Sequence, residues 1–259
     1  MIHAFTAARE IAAIPAYHRS LGRLPGEAPW RRVAYGPHHR QYVLLAEQDD
    51  PYAPIAVYFH GGAWQFGSPE RLRAFGEYFW RRGYTVWMPS HRRLTTHSGR
   101  AVYADALHAV RTVRDFHVGR GYPARLLLAG MSSGGHLATL CALRQNDWRG
   151  GSRTDGCAVE GLLTSGAPLS LSHLAATPTR RRLAGPEGSA AFRSLDPLGH
   201  LTADPGFPAV VLHGTRDGLV PFVSSVAFVA KARRVGWERL RFVGLPGGSH
   251  LSAAEWVLP

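Results

Sequence analysis

Arg125-Leu126-Leu127-Leu128-Ala129-Gly130-Met131-Ser132-Ser133-Gly134-Gly135-His136 is the stretch from which the rest of the chain can be read. Its apolar run predicts a buried strand, and the glycine-rich turn after it opens a helical pattern with Leu137, Leu140 and Cys141 on one stripe. Gly130-x-Ser132-x-Gly134 has the spacing of a nucleophile elbow, a sharp strand-to-helix turn that lifts a serine Oγ above the sheet edge. Gly130 and Gly134 permit the turn because a Cβ at either position would collide with neighbouring backbone. The pattern alone is weak: with 29 glycines in 259 residues it would arise by chance in roughly one chain in five. The plain alternative is a glycine-rich helix start capped by a serine.

The surrounding sequence supplies what a serine nucleophile needs. A hydroxyl attacks poorly at neutral pH unless a base takes its proton. Among 14 histidines, His250 is best placed, since it follows the strand pattern Leu240 to Gly244 across Leu245-Pro246-Gly247-Gly248-Ser249. Asp217 comes just past the buried pattern Ala209 to Gly214, where a carboxylate can reach the far imidazole nitrogen and fix its tautomer. It outranks Asp196 and Asp204, which no strand immediately precedes; its plain alternative is a helix N-cap. His60-Gly61-Gly62-Ala63-Trp64 ends another apolar run, and the N–H groups of Gly62 and Ala63, with that of Ser133, are the expected oxyanion donors. Trp64, Met131 and Leu94 are expected to shape the substrate pocket, Trp64 equally a packing residue. His60 and His136 read as structural, and Arg92 as a tie between loops or a partner for a substrate carboxylate.

Short apolar runs alternate with helical patterns from about residue 40, which predicts a mostly parallel sheet covered by helices on both faces. Strands are expected at 41–46, 55–60, 85–89, 126–130, 159–165, 209–214 and 240–244. Inward helical stripes are expected at Val102, Ala106, Ala109, Val110 and Val113, and at Phe222, Val226, Val229 and Ala230, the latter helix ending at Arg233, Arg234 and Gly236. Residues 1–30 read as a helical extension with a Pro/Gly-rich connection. Residues 167–208, broken by Pro168, Pro178, Pro186, Pro197 and Pro205, read as a small lid-like insertion within one domain, 1–259.

Composition narrows the partners. The formal charge of +12 raises nucleic acid, yet only Lys231 is lysine, and the arginines are scattered, with Arg180-Arg181-Arg182 the longest run. Without a basic stripe interleaved with stacking aromatics, no nucleic-acid partner is expected. Cys141 and Cys157 are too few for a disulfide framework and sit in no metal-ligand spacing. No run of 18 apolar residues occurs and Arg9 and Glu10 interrupt the first apolar stretch, so the expectation is a cytoplasmic protein acting on a small molecule, without membrane, metal or cofactor.

From about residue 35 to 250 the chain resembles the α/β-hydrolase superfamily, in particular its small esterase branch with an HGGxW oxyanion motif, which includes kynurenine formamidase and related carboxylesterases. The resemblance implies an α/β-hydrolase fold, a triad of Ser132, Asp217 and His250, and an oxyanion hole of Gly62, Ala63 and Ser133. It implies cleavage of a small carboxylic ester or aryl formamide through an acyl-enzyme. Met131 and Ser133 flank the serine where relatives often carry other residues, and His91 stands where a tyrosine is common. Only nine residues follow His250, where most relatives continue into a full helix. The rivals are N-formylkynurenine hydrolysis proper, a prolyl-oligopeptidase-type peptidase, for whose large gating domain the chain has no room, and a hydrolase-fold binding protein without catalysis, which would not need the whole triad and oxyanion motif.

Overall fold

The computed structural model describes residues 2–149 and 156–258. Its centre is an eight-stranded sheet: β1 (Arg31–Ala34), β2 (Tyr42–Ala46), β3 (Ile55–Phe59), β4 (Thr85–Pro89), β5 (Ala124–Met131), β6 (Cys157–Ser165), β7 (Ala209–Gly214) and β8 (Leu240–Leu245). The spatial order is β1-β2-β4-β3-β5-β6-β7-β8. β1, β2 and β4 pair antiparallel, and every pairing from β4 through β3 to β8 is parallel. β2, β3 and β4 are buried at every position, as strands covered on both faces must be. β1 lies outside the expected strands. Its sequence, Arg-Arg-Val-Ala, is largely exposed at the sheet edge, so it shows no apolar alternation.

Helices α1 (Ile2–Gly22) and α2 (Arg73–Trp80) and a C-terminal 3₁₀ turn (Ser252–Val257) enclose one face, where Tyr58, Phe75, Met88 and Met131 form the core. Helices α3 (Gly99–Val118), α4 (Ser133–Leu143) and α9 (Phe222–Arg234) cover the other, around Trp87, Leu126, Leu140 and Phe228. The inward stripe of α3 is as expected: Val102, Ala106, Ala109, Val110 and Val113 are all buried. That of α9 is rotated. Val226 and Ala230 face solvent, and Ser224, Ser225, Phe228, Val229 and Ala232 face inward. The two serines tolerate burial because Ser224 Oγ bonds the backbone of Ser170 and Ser225 Oγ bonds His213. Gly236, at φ 81°, follows this helix as expected of a C-terminal glycine.

Between β6 and β7, residues 167–208 form α6 (Pro178–Ala184), α7 (Ala190–Leu195) and α8 (Pro197–His200), with α5 (Asn146–Arg149) lying before β6. Leu169, Leu171, Leu183, Phe192, Leu195 and Leu201 from this insertion are buried in the same core as α3 and α4. The insertion is thus anchored to the body at these positions, with the stretches 175–178 and 186–188 exposed between them. No helix among the described residues is long and apolar enough to cross a membrane.

Candidate active site

The chain reverses from β5 into α4 at Ser132, whose φ of 54° and ψ of −126° lie in a region that costs a non-glycine residue strain. Close packing enforces it. A Cβ on Gly130 would lie 2.5 Å from the Gly134 carbonyl carbon, and one on Gly134 would lie 2.5 Å from the His60 carbonyl oxygen. Ser132 N–H donates to Ser165 O at 2.8 Å, pinning the elbow to the end of β6. Ser132 Cβ stands 3.4 Å from where a Cβ on Gly61 would be, so the elbow and the turn after β3 are in contact.

That turn is as unusual as the elbow. Gly62, Ala63 and Trp64 all have positive φ, 129°, 52° and 59°, and a Cβ on Gly62 would strike the Phe66 carbonyl oxygen. Gln65 and Phe66 N–H both return to Gly62 O, so the amides of Gly62 and Ala63 are not consumed in closing the turn. Ser133, the first residue of α4, has an amide with no intrahelical acceptor. Its buried hydroxyl has no partner among the described residues. Among the described residues the Gly62 and Ala63 amides donate to no backbone carbonyl, and they lie on the turn whose Gly61 adjoins Ser132.

Asp217 and His250 meet directly. Asp217 Oδ2 accepts from His250 Nδ1 at 2.7 Å and is 3.2 Å from His213 Nε2, and Oδ1 accepts from the amides of Leu219 and Val220 at 2.9 and 2.8 Å. Asp217 is not a helix cap, because α9 begins later, after Pro221. Burial pushes its carboxyl up, but His250 and His213 outweigh this and hold it well below the usual carboxylate range. Burial lowers the His250 imidazole, yet the charge and hydrogen bond of Asp217, together with Glu10, leave it raised above its ordinary value. The ring rests over Gly166, with Nδ1 3.1 Å from the place a Cβ would occupy there, and Gly166 follows the serine whose carbonyl holds Ser132. The His250 side chain is hydrogen-bonded to Asp217 and not to the Ser132 hydroxyl.

The other expected residues fall into supporting places. Trp64 and Met131 are nearly enclosed and Leu94 is fully so; all three pack in the core, and Leu94 presents no surface to a ligand. Trp64 Nε1 donates to His136 Nδ1 at 3.3 Å, while His136 Nε2 donates to Leu195 O at 2.8 Å, tying the turn after β3 to α4 and α7. His60 and His91 stack at 4.9 Å, each donating from Nδ1 to an adjacent carbonyl; burial, then the neighbouring His91, lowers His60 to about 3. Arg92 ties loops: it pairs at 2.7 Å with Asp105, a fully buried carboxylate on α3. Asp196 bonds Leu171 N–H within the insertion and Asp204 closes its own turn on Gly206; neither bonds His250.

Residues missed by sequence reasoning are Glu10 and Tyr17 of α1. Glu10 accepts the amides of Gly218 and His250, and Tyr17 Oη donates to Ala254 O at 3.0 Å. No local signal marks either, because their partners lie more than 200 positions away.

Comparison with known proteins agrees with this architecture. Esterase LipC of Mycobacterium tuberculosis is 30% identical over 251 residues, covering 85% of this chain and 59% of LipC. The chain spans 49% to 59% of the length of the curated relatives it matches. Thermogutta terrifontis esterase 2 phosphoramylated by tabun superposes with a TM-score of 0.69 at 27% identity, over 88% of this chain and 87% of that one; the same esterase has been solved with butyrate bound. A truncated carbohydrate esterase from gut microbiota shares the fold with a TM-score of 0.74 at 18% identity, over 89% of this chain and 93% of that one. The BD-FAE family model matches residues 42–232, from β2 into α9. The chain has the α/β-hydrolase fold and belongs to the BD-FAE family.

Proposed function

We propose that this domain hydrolyses esters of small carboxylic acids, with Ser132 as nucleophile, His250 as base and then acid, and Asp217 as the group that orients His250. The observation that carries this reading is the 2.7 Å Asp217–His250 bond, set over Gly166 beside a serine held at positive φ. With Nδ1–H fixed on Asp217, Nε2 is the nitrogen left to take the Ser132 proton. Oγ then bonds the carbonyl carbon, and the amides of Gly62, Ala63 and Ser133 receive the oxyanion. Collapse of that intermediate expels the alcohol, which takes the proton from His250. Water repeats the sequence on the acyl-enzyme, releasing the acid and restoring Ser132. The butyrate-bound form of the Thermogutta esterase supports a short acyl group.

The test is a substrate panel of p-nitrophenyl acetate, butyrate and laurate with N-formylkynurenine, run on the protein and on Ser132→Ala. Turnover greatest on acetate or butyrate and reduced by several orders of magnitude, on the order of 10⁶ in a comparable triad, in the variant is the expected result. Preference for N-formylkynurenine would replace ester by formamide cleavage, the reading kept by the His60-Gly61-Gly62-Ala63-Trp64 motif. Full activity in Ser132→Ala would overturn the mechanism.

A further inference from the structure

The loops carrying Asp217 and His250 leave the adjacent strands β7 and β8, and Thr215 N–H to Leu245 O, Arg216 N–H to Gly248 O and Gly247 N–H to Thr215 Oγ1 tie them together on one side. One side chain from the far end of the chain touches both. Glu10, midway along α1 and 6% exposed, accepts Gly218 N–H on Oε1 at 2.9 Å and His250 N–H on Oε2 at 3.1 Å. Gly218 adjoins Asp217, so the carboxylate bridges the residue after the acid to the base itself. The contact is close enough to exclude a side chain: a Cβ on Gly218 would lie 2.8 Å from Thr6 Cγ2 and 3.0 Å from the Ala7 amide. One turn-pair further along the helix, Tyr17 holds Ala254 in the 3₁₀ turn that follows His250.

We propose that Glu10 is a positioning residue for the hydrolysis, clamping the Asp217 and His250 loops together and setting a second negative charge beside the imidazole. This rests on the triad reading above. A carboxylate is suited to the role because each of its oxygens accepts one amide; a glutamine in its place can accept only one and turns an NH₂ toward the other. The charged groups acting on His250 are Asp217, from the loop after β7, and Glu10, from α1; His213 of β7 reaches Asp217 and not His250. Both negative charges raise the proton affinity of the ring, so removing that of Glu10 lowers it.

The test compares wild type, Glu10→Gln and Glu10→Asp by kcat and KM for p-nitrophenyl butyrate across pH, and by NMR titration of the His250 ring. Glu10→Gln is expected to lower kcat on the order of ten- to a hundredfold with KM little changed, as displacement of a catalytic group does. Its His250 titration midpoint and the acid limb of its kcat/KM profile should both move to lower pH. Glu10→Asp, which keeps the charge but withdraws it by one methylene, should lose kcat yet keep its midpoint nearer that of the wild type. A Glu10→Gln protein with unchanged kcat, or with reduced kcat and an unshifted midpoint, would overturn the proposal and leave Glu10 a fold contact. The NMR titration reads the clamp without turnover, so failure of the triad reading shows separately, as esterase activity that survives Ser132→Ala.

Discussion

His136 joins the turn after β3 to α4 and α7, and its protonation should unfold that junction. The ring is fully buried, accepts Trp64 Nε1–H on Nδ1 and donates to Leu195 O from Nε2, an arrangement open only to the neutral tautomer. Burial lowers its pKa from 6.5 to about 4, against a smaller opposing effect of the Leu195 carbonyl. The folded value lies below the unfolded one, so this stabilisation is fully present above pH 6.5 and is lost as pH falls toward 4. At pH 4 the folded ring is half protonated while the unfolded ring is almost wholly so, and the difference amounts to about 3 kcal/mol. The perturbation is His136→Gln, which retains one donor and one acceptor but cannot ionise. Urea unfolding of both proteins at steps between pH 7.5 and 4 measures the gap between them. Because every other titrating group is common to both, the variant should gain about 3 kcal/mol on the wild type over that range. Parallel stability curves would refute the argument.

Other consequences are as direct. The acid limb of kcat/KM should have its midpoint above 6.5, because in the proposed mechanism His250 must be neutral to accept the serine proton and its pKa is raised; a pH–rate profile with a midpoint below that value would contradict it. Asp217→Asn should lower kcat by about 10⁴, since both oxygens already accept from N–H donors and an amide NH₂ must oppose one pair; steady-state kinetics on p-nitrophenyl butyrate measures it. Arg92→Ala should destabilise the fold by about 3 kcal/mol in urea unfolding at pH 7, because among the described residues it leaves the buried Asp105 carboxylate with only Gln41 Nε2 as a side-chain partner.

What the sequence made legible was local. Gly130, Ser132 and Gly134 announce the elbow because three consecutive requirements, a buried strand, a strained turn and a helix start, fall within a dozen residues. Asp217 and His250 were found by the same logic, each just past a strand that the apolar pattern revealed. Legibility failed where tertiary partners override composition. β1 has the exposed, arginine-rich face of an edge strand. The buried serines of α9 are polar in sequence but satisfied in space, so the apolar stripe was read on the wrong face. Leu94, expected to shape the substrate pocket, is fully buried, and its amide bonds Trp64 O. Glu10 carries no pattern of its own; its part is visible only once α1 is laid across the ends of the Asp217 and His250 loops.

An activated Ser132 nucleophile is open to covalent labelling. Intact-mass spectrometry after incubation with a fluorophosphonate, on folded wild type and folded Ser132→Ala, should show a single adduct on the wild type alone. A folded wild-type protein that takes no adduct, or a Ser132→Ala protein that takes the same one, would contradict the account.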